Sequence, residues 1–340
     1  MVHGRRFIQP PIINHQPSTM LRAILAFALA LILSLAWGGK LIAYLRSQPW
    51  RREVHQAKQG TPSMGGILIV TSAVVAMLVC QPQRETFILS AALIGFGAIG
   101  FADDYLKALG GRKGGFKARW KLLAQVALVG LFALVQQSTA VVVPFVNVTW
   151  QMPAWAYGAF LFLLVLGACN AANITDGVDG LLASLTLIAC LALAVMSTVG
   201  VDVPARPNAG VLTFAGALMG ACVGFLRFNA HPAQVFMGDT GSLAIGAGVA
   251  TAAVLLKQEL MLPFICFVWV VETLSVMIQV VYFQTTKRLY GEGRRIFRRT
   301  PIHHAFELRG WSEWKVVGWF CAVGALVAGV SLTVWVFQTG

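Results

Sequence analysis

Apolar positions in this chain follow neither the alternation of a half-buried strand nor the one-sided stripe of a surface helix. They run almost unbroken for about 15 to 27 residues and then yield to short polar stretches. About 20 apolar residues at 1.5 Å per residue match the roughly 30 Å hydrocarbon core of a bilayer. The pattern predicts about ten spanning helices, near residues 20–45, 63–80, 86–103, 120–138, 153–170, 180–199, 209–226, 242–256, 260–286 and 313–337. The ninth run carries Glu272, Gln279 and Gln284 and exceeds what the core requires, so it is expected to tilt or break. Between the fourth and fifth runs, TAVVVPFVNVTWQM (139–152) has β-branched alternation around Pro144, which fits a small hairpin and a plain loop about equally.

Composition strengthens this picture. The 340 residues are 57% hydrophobic and 11% charged, with mean hydropathy +0.73. The expected fold class is an all-α polytopic membrane protein, one ten-helix domain over residues 20–340, because no polar stretch is long enough to fold separately. Residues 1–19 read as a polar, proline-containing N-terminal extension without the h-region of a signal peptide, and Met20 is an alternative start. All six cysteines lie in apolar runs without CxxC spacing and read as small core residues. Gly95, Gly97 and Gly100 in GFGAIG match a dinucleotide fingerprint only in letters. They sit inside an apolar run with no strand before them, so close helix packing is expected there and at Gly241, Gly246 and Gly248.

Charge orients the bundle. Loops after odd-numbered runs, with their borders, hold twenty of the 26 Lys and Arg residues, leaving Arg5, Arg6, Arg22, Arg84, Arg206 and Lys257 for the other face. The positive-inside rule puts the first face in the cytoplasm and both termini outside, in the periplasm. The net charge of +13 is therefore read as membrane orientation, with no nucleic-acid partner required.

Five of the six aspartates lie where an apolar run meets a loop on that cytoplasmic face: Asp103 and Asp104 in FADDYLK, Asp176 and Asp179 in NITDGVDG, and Asp239 in FMGDTGS. A carboxylate in hydrocarbon costs about 2.5 to 3.5 kcal/mol on insertion scales, so such groups are either solvated caps or a site. Asp103 and Asp104, with Lys107 one turn on, point about 100° apart and can take two roles at one site. As a helix C-terminus, this position would oppose the macrodipole. Asn170, Asn173, Asp176 and Asp179 recur every three residues, which suits a polar stripe for a sugar, a base or a metal-bound phosphate, while an Asp/Asn cap for the sixth span coexists as an alternative. Asp239 likewise reads as a site residue or an N-cap. The loop before it holds Arg227, Asn229, His231 and Phe236, and the last inside loop holds Arg294, Arg295, Arg298, Arg299, His303, His304 and Glu307. Carboxylates, amides and lysines on one face favour Mg²⁺ over zinc, and phosphoryl transfer is the reaction class they suggest.

Taken together, KQGTPSMGG (58–66), DDYLK, NAANITDGVDGL, FNAHPAQVFMGDTGSL, WVVETLSV and RRTPIHHAFELRGW resemble the polyprenyl-phosphate N-acetylhexosamine-1-phosphate transferase superfamily, and within it the phospho-N-acetylmuramoyl-pentapeptide transferases. The resemblance spans nearly the whole chain. It implies ten spans, a cytoplasmic site in the bacterial inner membrane, and transfer of phospho-MurNAc-pentapeptide from UDP-MurNAc-pentapeptide to undecaprenyl phosphate, giving lipid I and UMP in peptidoglycan synthesis. It also implies Mg²⁺ and a homodimer. By motif, Asp103, Asp104 and Asp239 are the implied catalytic carboxylates, with Asp239 and Asp104 toward the metal and His303 beside the diphosphate. Lys58, Asp179 and Phe236, with backbone near Gly177, are the implied uridine pocket; Ser63, Lys107, Lys121, Asn170, Asn173, Asp176, Asn229 and His304 complete the substrate-binding set. Two departures stand out: Ala305 follows His303 and His304 where the family usually has a third histidine, and Ser63 stands where threonine is common. Rival readings are a sister transferase using UDP-GlcNAc, a transporter with broken helices, and a non-catalytic lipid-binding scaffold.

Overall fold

The computed structural model describes residues 17–48, 60–110, 115–135, 138–146, 148–199 and 208–339. Twelve α-helices make up most of this: α1 (Pro17–Ser47), α2 (Gly66–Cys80), α3 (Arg84–Gly110), α4 (Ala118–Val135), α5 (Ala154–Thr175), α6 (Leu181–Val199), α7 (Ala209–Asn229), α8 (Gly238–Leu255), α9 (Leu262–Ile265), α10 (Phe267–Tyr290), α11 (Ile302–Glu307) and α12 (Glu313–Thr339). Among the described residues, eight helices are long and apolar enough to cross a membrane: α1, α3, α5, α6, α7, α8, α10 and α12. The other two expected runs appear as α2, at 15 residues, and α4, which opens on Arg119 and Lys121. The chain is a multi-pass membrane protein. α1 begins at Pro17, three residues before the first expected run, and residues 1–16 lie outside the described residues.

Three expectations acquire physical form. The valine-rich 139–152 segment is a hairpin, β1 (Ala140–Val143) antiparallel to β2 (Val148–Gln151), so the all-α expectation is corrected by one two-stranded sheet. The ninth run does break. A 3₁₀ turn (Glu259–Met261) leads into α9, whose first turn holds Pro263, and the chain leaves helical geometry at Cys266 (φ −109°, ψ 32°) before α10 begins. Proline has no N–H to continue a preceding helix, which favours a fresh start at this point. The glycines act as packing surfaces. A Cβ on Gly100 of α3 would collide with the Asp239 carbonyl, and one on Gly66 of α2 would collide with the Gly241 backbone. The start of α8 is thereby drawn between α2 and α3.

Candidate active site

The helix ends deliver the clustered aspartates to one cleft. α3 does not end at 103 as expected but continues to Gly110, so Asp103 and Asp104 lie inside the helix and Lys107 reaches back to them one turn on. Asp104 takes over the N-terminus of α8. Its Oδ1 accepts the Asp239 N–H (3.1 Å), and its Oδ2 accepts the Thr240 N–H (3.0 Å) and hydroxyl (2.7 Å). Those N–H groups have no partner within their own helix, and a carboxylate there also meets the positive end of the macrodipole. The cap of α8 is thus donated by α3, which leaves the Asp239 side chain for other work.

Asp239 Oδ1 accepts from Asn173 Nδ2 (2.7 Å), while its Oδ2 meets Lys121 Nζ (2.6 Å) and Lys107 Nζ (3.2 Å). Both lysines also bind Asp103 Oδ2, at 3.0 and 2.8 Å, and the Phe116 N–H donates to Asp103 Oδ1 at 2.7 Å. Two cations therefore hold two carboxylates from separate helices. Asp176, at the end of α5, forms no ion pair with a lysine among the described residues. Burial, followed by the nearby Asp104, Asp239 and Asp179 carboxylates, holds it well above the usual carboxylate range, and the Gly238 N–H only partly offsets this.

Above this floor lies a cleft of about 600 Å³. Of the sequence-nominated residues, Ser63, Asp104, Lys107, Asn173, Asp176, Gly177, Asp179, Asn229, Phe236, Asp239 and His304 line it. Phe236 is fixed by strand-like pairing with the PSMGG segment: its N–H donates to the Pro62 carbonyl and its own carbonyl accepts the Gly65 N–H, both at 2.8 Å. Asn229 links two loops, accepting the Gly180 N–H through Oδ1 (3.0 Å) and donating to the Val235 carbonyl through Nδ2 (2.9 Å). Asp179 Oδ2 accepts the Ala233 N–H (3.0 Å) and lies 3.1 Å from His231 Nδ1, so its carboxylate braces the α7–α8 loop. His304 lies 2.6 Å from Glu307 through Nδ1; burial outweighs that carboxylate and lowers the imidazole pKa below its usual value.

Three nominations fare differently. Asn170 is exposed and donates to the Leu166 carbonyl (2.9 Å), away from the cleft. Steps of three residues turn 300°, so the stripe drifts about 60° per step and Asn170 rotates off the face that Asp176 occupies. His303 is wholly buried behind Gly177 and faces Glu272, so it does not sit at the cleft surface as the resemblance implied. Lys58 lies outside the described residues. Glu313, at the start of α12, lines the cleft and accepts the Asp179 N–H (3.2 Å), yet it was not singled out from the sequence. In WSEW it reads as an ordinary acidic residue in a helix first turn.

A membrane bundle whose polar cleft joins carboxylates, lysines and amides at helix ends has the make-up of an enzyme that handles phosphates. Consistent with this class, residues 86–257 match the glycosyl transferase family 4 model. Residues 58–70 match signature 1 of phospho-N-acetylmuramoyl-pentapeptide-transferase. Proteins of that name from Geobacillus kaustophilus (strain HTA426) and Bacillus thuringiensis (strain Al Hakam) are each 40% identical to this chain; the first match covers 92% of this chain and 98% of the relative, the second 90% and 96%. The chain belongs to the phospho-N-acetylmuramoyl-pentapeptide-transferase family.

Proposed function

We propose that this protein binds UDP-MurNAc-pentapeptide in the cleft and transfers phospho-MurNAc-pentapeptide to undecaprenyl phosphate, producing lipid I and UMP for peptidoglycan synthesis. The observation that carries this reading is the paired clamp of Lys107 and Lys121 on Asp103 and Asp239, set beside a cleft large enough for a nucleotide sugar. The 20-to-6 split of basic residues supports placing the cleft at the cytoplasmic face of the inner membrane, with ten spans and both termini outside. A homodimer is proposed on the family resemblance alone.

In the reaction, a lipid phosphate oxygen bonds to the sugar-linked phosphorus of the donor as the bridging bond to the UMP phosphate breaks, and UMP leaves with that bridging oxygen. A phosphate monoester has a second pKa near 6, so the attacking group is mostly dianionic at neutral pH and hardly needs a base. The barrier lies in bringing anion to anion. Lys107, which lines the cleft, and Lys121, beside it on the same Asp239 oxygen, stabilise the charge of the reacting phosphates, an effect worth about 10²–10³ in kcat per donor, while Arg299 and His304 across the cleft bind the UDP-sugar before reaction. Asp103 aligns the two lysines. Phe236, Asp179 and the Gly177–Val178 backbone form the nucleoside wall. Direct transfer is favoured over an aspartyl-phosphate intermediate because Asp239 Oδ2 is already clamped by two lysines, as is Asp103 Oδ2.

The donor set fits Mg²⁺. Asp104, Asp176 and Asp239 all line the cleft and offer hard carboxylate oxygens, the ligand type Mg²⁺ takes. Asp239 and Asp104, with Asp176 facing them, are the residues that would hold the ion, which supplies charge neutralisation to the diphosphate when bound.

The test is UMP release by purified protein given UDP-MurNAc-pentapeptide, with undecaprenyl phosphate and Mg²⁺ each present or omitted. Release is expected only with both. UMP formed without lipid would favour the covalent route, and turnover of UDP-GlcNAc in place of this donor would move the chain to the sister branch.

A further inference from the structure

α10 is largely lipid-facing in character, with Leu274, Met277, Ile278, Val280 and Val281 all exposed. Yet it buries Glu272, Gln279 and Thr286, which follow one another at intervals of seven. Seven residues turn about 700°, within 20° of two full turns, so the three share one face. Polar side chains in a spanning helix are costly unless they have partners.

Each of these side chains meets the same loop. Thr286 Oγ1 accepts the Arg294 N–H at 2.8 Å. Gln279 Oε1 accepts the N–H groups of Ile296 (3.1 Å) and Phe297 (3.0 Å), and its Nε2 donates to the Phe297 carbonyl (3.2 Å). The Glu272 carboxylate lies 3.2 Å from His303 Nδ1 in close contact without a formed hydrogen bond, and both side chains are fully buried. His303 in turn abuts Gly177, where a Cβ would collide with its ring, and its ring centroid lies 4.2 Å from that of His304. Three cleft-lining residues, Arg299, His304 and Glu307, ride on the segment held this way.

We propose that Glu272, Gln279 and Thr286 are positioning residues for the transfer reaction, forming a polar stripe in the membrane that docks residues 294–303 and so sets Arg299 and His304 against the donor. His303 then acts as the loop's end-stop against Glu272 and Gly177 and does not touch substrate. The proposal rests on the donor-binding reading of the cleft.

The experiment uses the full chain in detergent or lipid, with Gln279→Leu, Thr286→Val, Thr286→Ser and Glu272→Gln. Two readouts are taken: the rate of trypsin cleavage after Arg294, Arg295, Arg298 and Arg299 without substrate, and the KM and kcat for donor. Gln279→Leu is expected to speed cleavage and raise donor KM about tenfold, with kcat at saturation within threefold and undecaprenyl phosphate KM within twofold. Thr286→Val is expected to show about threefold effects in the same two quantities. Thr286→Ser, which keeps the hydroxyl, and Glu272→Gln, which keeps a polar partner for His303, are expected to stay closer to wild type. Should Gln279→Leu not fold, Thr286→Val carries the test. Wild-type cleavage in folded Gln279→Leu and Thr286→Val, or faster cleavage in them with donor KM unchanged, would overturn the proposal. If the wild type itself releases no UMP from this donor, the functional reading fails while the cleavage comparison still reports on docking.

Discussion

The two ends of α5 and α8 each bury a carboxylate beside a lysine, and they do so for different ends. At the start of α8, Asp239 shares two lysines with Asp103, while Asp104 and Asp176 lie close by, so four carboxylates face two ammonium groups beside an open cleft. Beyond the end of α8, Glu259 is wholly buried. Its Oε1 accepts the Tyr157 hydroxyl at 2.9 Å and lies 4.0 Å from Lys257 Nζ, which also donates to the Ser138 carbonyl at 2.8 Å. This second cluster ties the start of α5 and Ser138, two residues before the hairpin, to the break before α10. Buried charge alone does not mark a site. What separates the clusters is composition: one gathers four carboxyl groups around two lysines and opens to a cleft, whereas the other matches one carboxyl group with one lysine and a hydroxyl.

That contrast is open to direct perturbation. The largest expected effect is from Asp239→Asn, which removes the charge clamped by both lysines; UMP release should fall about 10³-fold or more with little change in the unfolding midpoint. Lys121→Met should cost about 10²-fold in kcat, measured under saturating donor, because one charge-stabilising donor is lost. Tyr157→Phe should reverse the pattern. It strips a hydrogen bond from the fully buried Glu259, costing about 1–3 kcal/mol of stability by thermal or denaturant unfolding, with turnover within threefold of wild type. The smallest effect concerns His304. Its folded-state pKa lies below its unfolded value of about 6.5, so below that pH the unfolded chain binds the proton more readily and stability falls as pH drops. His304→Asn should flatten the midpoint difference between about pH 7.5 and 5.5.

The apolar runs and the aspartate clusters were legible from the sequence because bilayer thickness fixes helix length and because carboxylates are rare in such a chain. The hairpin and the break in the ninth run were also signalled, by valine alternation and by excess length. Three-dimensional pairing was not. That Asp104 caps α8 depends on the start of α8 packing against Gly66 of α2 and Gly100 of α3, which no local signal encodes. Asn170 failed to join its stripe because a spacing of three drifts around a helix. His303 and His304 are adjacent in sequence, yet one is sealed against Glu272 and the other lines the cleft, a division set by the docking of their loop.

The most direct measurement compares Asp239→Asn and Tyr157→Phe side by side, reading UMP release and unfolding midpoint on the same preparations. Asp239→Asn is expected to abolish release at near wild-type stability, and Tyr157→Phe to lower stability while release persists. Full release from Asp239→Asn, or its loss in folded Tyr157→Phe, would place the transfer chemistry outside the cleft.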